Sequence, residues 1–145
     1  MNVLSIRFLG TGASEGVPVY GCKCSNCVEA RTNNLVRRKP SSILIVNELN
    51  DALIVDVGTD IVDYIDELNV NVLAVLITHW HHDHTAGLYR FRWSKKSINL
   101  YAPKEGADAE IISKPLSLKL NYVEAPQELR IGDYNVLVLK LNHNI

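Results

Sequence analysis

The chain has 145 residues, of which 47% are hydrophobic and 21% are charged, and its formal net charge is −1. This length and composition allow one hydrophobic core but not two, which predicts a single domain over residues 1–145. No apolar stretch approaches the roughly 18 residues of a membrane span, and Met1–Leu9 lacks the features of a signal peptide, so we expect a cytoplasmic protein without a membrane partner. The one compact basic run, Arg37-Arg38-Lys39, is typical of a solvated loop, which argues against a nucleic-acid partner.

The first half of the chain contains strand and helix patterns in alternation. Asn2–Leu9 alternates as a strand does, and Ser41–Val46 with Ala52–Val57 predicts a hairpin. Asp60–Leu68 has apolar residues at helical spacing, and Val72–Ile77 is a continuous apolar run typical of a strand that is buried on both faces. Residues 10–40 show no convincing periodicity, so this segment needs another source of order.

The second half of the chain adds shorter elements. They are a short helix after His84 that runs through Phe91, strands at Ile98–Tyr101, Asn121–Val123 and Tyr134–Leu141, and a helix at Ala107–Ser113. Strands that alternate with helices favour a layered α/β domain.

Side chains that commonly bind metals are concentrated directly after the buried strand, in the segment Thr78-His79-Trp80-His81-His82-Asp83-His84. Side chains two apart in an extended segment point to the same side, so His79 and His81 can meet at one point. The turn after Asp83 lets Asp83 and His84 reach a second point nearby, which makes two adjacent metals possible. Clustered histidines can also merely cap a strand, but four of the five histidines lie here beside an aspartate, which favours a metal site.

The pattern His-x-His-x-Asp-His resembles the signature of the metallo-β-lactamase superfamily of metal-dependent hydrolases. Further segments resemble the PhnP-type cyclic phosphodiesterases of the carbon-phosphorus lyase pathway: Phe8–Pro18, Gly21–Cys27, Gly87-Leu88 and Arg92-Trp93. Pyrroloquinoline quinone B-type proteins and tRNA 3′-processing nucleases share the superfamily motif and are the alternative relatives. The resemblance implies an αββα sandwich.

The resemblance also implies the roles of the site residues. His79, His81 and His143 would hold one metal, and Asp83 and His84 would hold the second, with Asp83 also orienting the nucleophile. Zinc or manganese could serve as the two divalent ions. The implied reaction is attack of a metal-bound hydroxide on a small-molecule phosphodiester, a five-membered cyclic phosphate on a phosphorylated ribose.

The three cysteines, Cys22, Cys24 and Cys27, lie within the segment at about 10–40 that lacks periodicity. In a cytoplasmic protein this spacing favours three thiolate ligands of a structural zinc over a disulfide with one thiol left over. Reduced, unligated thiols are the alternative. The resemblance places the fourth ligand, a histidine, beyond Ile145.

Asp56 ends the strand Leu53-Ile54-Val55 and resembles part of the superfamily's first short motif. We expect a supporting role, in which its hydrogen bonds hold the histidine segment in position. A plain turn-forming aspartate is the alternative.

The family domain that the resemblance implies continues well past His143, so we expect this chain to correspond to the amino-terminal portion of that domain. The alternative to an active phosphodiesterase is then a catalytically weak metal-binding protein that needs a second half. Such a chain would leave apolar strand surface uncovered, which predicts self-association or association with a complementing carboxyl-terminal half.

Overall fold

The computed structural model of the chain describes residues 3–107, 110 and 117–142. Its regular elements, in chain order, are β1 (Leu4–Gly10), α1 (Ser25–Ala30), a 3₁₀ helix (Asn34–Val36), β2 (Ser42–Asn47), β3 (Asp51–Val55), α2 (Val62–Glu67), β4 (Asn71–Leu76), α3 (His82–Thr85), a second 3₁₀ helix (Ala86–Phe91), β5 (Ile98–Pro103), β6 (Leu118–Val123), β7 (Gln127–Ile131) and β8 (Tyr134–Val138). None of the helices in these ranges has the length and apolar character that crossing a membrane requires.

Six strands form the main sheet in the order β1-β2-β3-β4-β5-β6. The first three are antiparallel neighbours, and the strands from β3 to β6 run parallel. Parallel strands need crossover connections, which α2 provides between β3 and β4. The carboxyl ends of β3, β4 and β5 therefore meet at one edge of the sheet, where the histidine segment begins.

The two faces of the sheet are covered differently. On one face, side chains of α2 and the second 3₁₀ helix, among them Ile65 and Leu88, share one buried cluster with Ile54 and Val75. On the other face, the β7-β8 hairpin packs Ile131 and Tyr134 against the middle strands. The described residues thus form a helix layer, a main sheet and a second small sheet, which agrees with three successive layers of the predicted sandwich.

The Tyr134 side chain fixes the small sheet to the main sheet. Its hydroxyl lies 2.7 Å from the carbonyl oxygen of Asp51 and 3.2 Å from that of Ile45. Burial raises the pKa of this hydroxyl above its usual value, so it stays protonated and can donate. The residue is 7% exposed, so Tyr134 combines apolar burial with a satisfied polar tip.

The predicted α/β class is confirmed, and so are the β2-β3 hairpin and the apolar strand β4. The sequence prediction missed α1, because only Cys27 and Ala30 of its six residues are buried, which leaves no apolar periodicity to recognise. It also missed β7, although Gln127–Ile131 alternates polar and apolar residues before a Gly-Asp turn. The last strand ends at Val138 rather than Leu141, and the predicted helix at Ala107–Ser113 falls largely outside the described residues.

Gly87 provides a test of how closely the histidine segment packs on the β3 end. A Cβ on Gly87 would lie 2.4 Å from the carbonyl oxygen of Gly58 and 2.5 Å from Val57 Cγ1. We predict that Gly87→Ala lowers the free energy of unfolding by about 1–3 kcal/mol, because backbone must move to admit the methyl group. Urea unfolding measures this loss, with Ala86→Ser as a control expected to change stability by less than about 0.5 kcal/mol. Equal stability of both variants and the parent chain would contradict the close approach.

Candidate metal centre

The histidine segment is held at the carboxyl edge of the parallel sheet by its backbone. The Ile77 N–H donates to the Tyr101 carbonyl at 2.8 Å, which continues β4 by one residue toward β5. The chain then turns into α3, whose His84 carbonyl accepts a hydrogen bond from the Val57 N–H at 2.8 Å. The buried Trp80 indole donates to the Pro103 carbonyl. Three neighbouring strand ends therefore fix the position of the histidines.

Asp56 is the hub of the hydrogen bonds beneath the histidines. It is 5% exposed and adopts a left-handed backbone with φ 58°. One carboxylate oxygen accepts from the Thr78 N–H at 2.8 Å. The other lies 2.8 Å from Thr78 Oγ1 and 2.7 Å from His84 Nδ1. The contacts expected of Asp56 are present, and its role in supporting metal binding stays a prediction.

These contacts determine which ring nitrogens are available to a metal. Where Asp56 accepts, His84 Nδ1 is the donor, so the neutral form of this ring has its lone pair on Nε2. Thr78 Oγ1 donates to Asp56 and therefore accepts from His79 Nδ1, which is 3.0 Å away. The lone pair of His79 is accordingly on Nε2. Thr78, which the sequence analysis assigned no role, thus links both histidines to one carboxylate.

The ligand atoms form two pairs. His79 Nε2 lies 3.0 Å from His81 Nδ1, and His84 Nε2 lies 3.4 Å from Asp83 Oδ2. Two ligands of one tetrahedral zinc are about 3.3 Å apart, given bonds of about 2.0–2.1 Å. The ring centroids of His79 and His84 are 4.1 Å apart, so the pairs are adjacent. Each pair has the spacing expected of two ligands of one divalent ion, and the binding of two neighbouring ions stays a prediction.

The two remaining histidines lie outside these pairs. His143, the expected third ligand of the first metal, is outside the described residues. His82 is exposed and forms no side-chain hydrogen bond within the ranges that the structure describes. A substitution of His82 can therefore serve as a control for substitutions of the expected metal ligands.

Cys22, Cys24 and Cys27 form a second candidate metal site. Their sulfur atoms all lie within 4.8 Å of one another, which suits the roughly 3.8 Å between thiolates of a tetrahedral zinc. A hydrogen bond from the Cys27 backbone, and then one from the Cys22 thiol, lower the pKa of the Cys24 thiol. A lowered pKa favours the thiolate, which is the form that binds metal. No fourth ligand joins the cluster among the described residues.

Arg31 supports the cysteine turn, a role that the sequence analysis did not assign. Its guanidinium donates to the carbonyl oxygens of Cys22 at 2.7 Å, Cys27 at 3.1 Å and Val19 at 3.2 Å. Because these three carbonyls converge on one cation, Arg31 connects parts of the loop that are distant in the sequence. Spacing in the sequence gives no signal for it.

A family model described as "Anti-Pycsar protein Apyc1" matches residues 30–140, a range that includes the whole histidine segment. The chain belongs to this family. The chain is also 28% identical over 130 residues to the coenzyme PQQ synthesis protein B of Cupriavidus necator, a match that covers 81% of this chain and 43% of that protein.

Two solved structures share the fold of this family member. A PhnP-family diphosphatase superposes with a TM-score of 0.79 at 20% identity, over 94% of this chain and 57% of that one. Zinc-bound PqqB from Methylobacterium extorquens superposes with a TM-score of 0.74 at 23% identity, over 90% and 48% of the two chains. The predicted metallo-β-lactamase fold is confirmed. The chain spans about half the length of these relatives.

Asp56→Asn tests whether the carboxylate hub sets the metal-binding tautomers. An amide can donate where the carboxylate only accepts, so its nitrogen faces a donor at either the Thr78 N–H or the His84 Nδ1 position. We predict that zinc affinity at the histidine site falls about 10–100-fold. Competition with a fluorescent chelator measures the affinity, and Asp63→Asn, which changes an exposed carboxylate on α2, is the control. Affinity equal to that of the control variant would refute the proposed role of Asp56.

Cys24→Ser tests the cysteine site. We predict less bound zinc per chain and faster proteolysis within residues 10–40, because metal binding there supplies part of the free energy that orders the loop. Elemental analysis and limited proteolysis measure the two effects. Ser25→Ala, a change at the next and equally exposed position, should leave both unchanged. If neither a chelator nor Cys24→Ser alters cleavage, the thiols do not hold a metal.

Proposed function

We propose that the histidine segment is the centre of a metal-dependent hydrolase that cleaves a phosphodiester, with a five-membered cyclic ribose phosphate as the preferred substrate. The observation that carries the proposal is the pair of ligand contacts above the Asp56 carboxylate: His79 Nε2 lies beside His81 Nδ1, and His84 Nε2 lies beside Asp83 Oδ2. Asp56 holds the His84 ring directly and the His79 ring through Thr78, as the carboxylate partners of metal-binding histidines do.

The donor set fits two divalent ions. His79 and His81 would hold one ion, together with His143, and Asp83 with His84 would hold the other. When bound, two such ions lower the pKa of water from about 15.7 towards about 7 and neutralise charge that develops on the phosphoryl oxygens. Zinc and manganese are both compatible with imidazole and carboxylate ligands.

The charges of the protein itself explain why a phosphodiester would need those ions. The fixed charges at the site are the carboxylates of Asp56 and Asp83, since neutral imidazoles contribute none. Without cations these carboxylates repel an anionic substrate. Asp83 is 19% exposed and so remains accessible to water, which its free oxygen can orient as a hydrogen-bond acceptor. Asp56 is 7% exposed at its side chain and holds the rings.

The choice of a phosphodiester is supported by the resemblance of the Arg92-Trp93 and cysteine segments to PhnP-type cyclic phosphodiesterases. The fold is shared with a PhnP-family diphosphatase, which agrees with hydrolysis at phosphorus. A reaction like that of the PQQ synthesis relatives is the competing choice, since the fold similarity to PqqB is almost as high. A panel of substrates tests the choice of a phosphodiester: a chromogenic phosphodiester, a cyclic ribose phosphate and, as an ester without phosphorus, a thioester. We expect turnover of the two phosphodiesters alone.

A second candidate function is a metal-binding unit that is catalytically weak until a second half joins it. Its supporting observation is that each ligand pair among the described residues offers two side chains, whereas catalytic zinc sites have three protein ligands. Bound metal without turnover of any phosphodiester would favour this candidate. Turnover that appears when a carboxyl-terminal half is added in trans would favour it further.

Asp83→Asn tests the proposed hydrolase. The amide is a poor metal ligand and holds no negative charge, so we predict that kcat/KM for a phosphodiester falls at least about 100-fold. His82→Asn changes an adjacent side chain that is not among the expected ligands, and it should retain activity within about twofold. Steady-state kinetics of both variants measure the difference. Comparable activity of the two variants would remove Asp83 from the catalytic site.

A further inference from the structure

We propose that β1, the exposed edge of the main sheet, pairs with β1 of a second copy of the chain and so joins two main sheets. β1 has β2 as its only neighbour among the strands that the structure describes. Its residues 4–8 are exposed, and within the described ranges their backbone groups bond only in the β1-β2 ladder. The outward N–H and C=O groups are therefore available to another strand. The proposal names a surface for the expected self-association and does not depend on the metal centre.

One face of β1 carries a row of apolar side chains that no other layer covers in the part of the chain that the structure describes. Leu4, Ile6 and Phe8 alternate along the strand, so they point to the same side of the sheet. Ile6 pairs with Ile45, which packs against the small sheet, so the row lies on the small-sheet side. The small sheet reaches β2, where the Tyr134 hydroxyl bonds to the Ile45 carbonyl. The row on β1 nevertheless stays between 51% and 70% exposed.

β1 lacks the features that commonly prevent a sheet edge from pairing with another chain. These features are prolines, bulges and charged side chains in the middle of the edge strand. The one charge of β1, Arg7, points to the opposite face from the apolar row, because its partner Leu44 belongs to the cluster on the helix side. The register of β1 with β2 is irregular only between Phe8 and Gly10. Residues 4–8 therefore form a regular edge with one apolar face.

The opposite edge of the main sheet, β6, is a poor partner for this strand. Lys119 and Asn121 pair with residues of β5, and Tyr101, the partner of Asn121, packs against the small sheet. These two polar side chains therefore share the face of the apolar row, and pairing with β6 would place an ammonium group beside Ile6. A β1-β6 contact would also repeat from copy to copy, whereas a β1-β1 contact closes at two copies. The self-complementary edge is therefore β1.

The residues of β1 select one antiparallel register for the two copies. If Ile6 lies opposite Ile6 of the second copy, Leu4 lies opposite Phe8, and three apolar pairs form on one face. On the other face, Ser5 lies opposite Arg7, so no like charges meet. A shift by two residues in one direction places the two Arg7 side chains opposite each other, and a shift in the other direction leaves Phe8 without an apolar partner. A shift by one residue would exchange the faces.

Sedimentation velocity on the full chain tests the proposal, in a reducing buffer so that the exposed Cys24 cannot cross-link two copies. One pair of strands is expected to bury less than the roughly 1,200 Å² of stable complexes, so we expect a reversible dimer that forms between about 1 and 100 µM. Ile6→Lys places two ammonium groups opposite each other at the centre of the contact. We predict that it raises the dissociation constant of the dimer at least about tenfold.

Three further variants separate this contact from association through another surface. Leu137→Lys is the matched control, because Leu137 on β8 and Ile6 are both apolar strand residues that are 58% exposed, and it should change the dissociation constant by less than about twofold. Ser5→Glu places a carboxylate opposite Arg7 of the second copy and should lower the constant at least about twofold, whereas Ser5→Lys should raise it by a similar factor. The Ser5 variants keep the apolar row, so they test the register even if Ile6→Lys reduces stability.

Four results would overturn the proposed contact. They are a monomer at every concentration up to about 100 µM, equal dissociation constants for Ile6→Lys and Leu137→Lys, the same response to Ser5→Glu and Ser5→Lys, and species that grow beyond the dimer. The first result would show that the β1 edge does not bind a second copy, and the second would assign association to another surface. The third would exclude the register, and the fourth would indicate an open contact such as β1 with β6.

Discussion

The site depends on one buried carboxylate, Asp56. The free-energy cost of burying and straining this residue is offset only when all of its hydrogen bonds to Thr78 and His84 are formed. Its left-handed backbone costs about 1–3 kcal/mol, and removing a charge from water costs several more. Against this stand three hydrogen bonds to Thr78 and His84, each worth about 1.5–3 kcal/mol when the acceptor is charged. If Thr78 or His84 is replaced, the cost of the left-handed backbone and of the desolvated charge remains, while part of the stabilising hydrogen bonding is lost. The strand end, Thr78 and the histidine rings therefore behave as one cooperative unit.

The sheet topology explains how such a hub can form. β3 and β4 are parallel neighbours, so Asp56 and Thr78 emerge at the same edge although they are 22 residues apart. The Asp56 N–H donates to the Leu76 carbonyl at 2.9 Å, which brings the carboxylate under the next strand end. The absence of a side chain at Gly87 then lets the backbone after α3 approach Val57 closely. The ring positions follow from backbone contacts more than from packing of the histidines themselves.

The sequence predicted the parts of this site that depend on local pattern. The apolar run of β4 and the histidine motif after it lie where the spacing placed them. Thr78 could not be assigned a role, because its importance comes from Asp56, which reaches it through the pairing of two strands. Arg31 is similar, since its three carbonyl partners converge only in the folded loop. β7 differs from these two cases, because the alternation of Gln127–Ile131 is a local pattern that the sequence itself contains.

The order of residues 10–40 has two sources besides any metal that the cysteines bind. Around the cysteines, Arg31 already joins Val19, Cys22 and Cys27, so a zinc ion would add to contacts that the protein makes itself. At the other end of the segment, Lys39 is fixed to Gly12 and Asp60 through contacts that involve no cysteine. Loss of zinc should therefore loosen the cysteine turn while the basic run keeps its shape. Arg37 joins the two parts of the segment, because its guanidinium donates to the carbonyl oxygens of Ala30 and Arg31, and Arg31 in turn holds the cysteine turn.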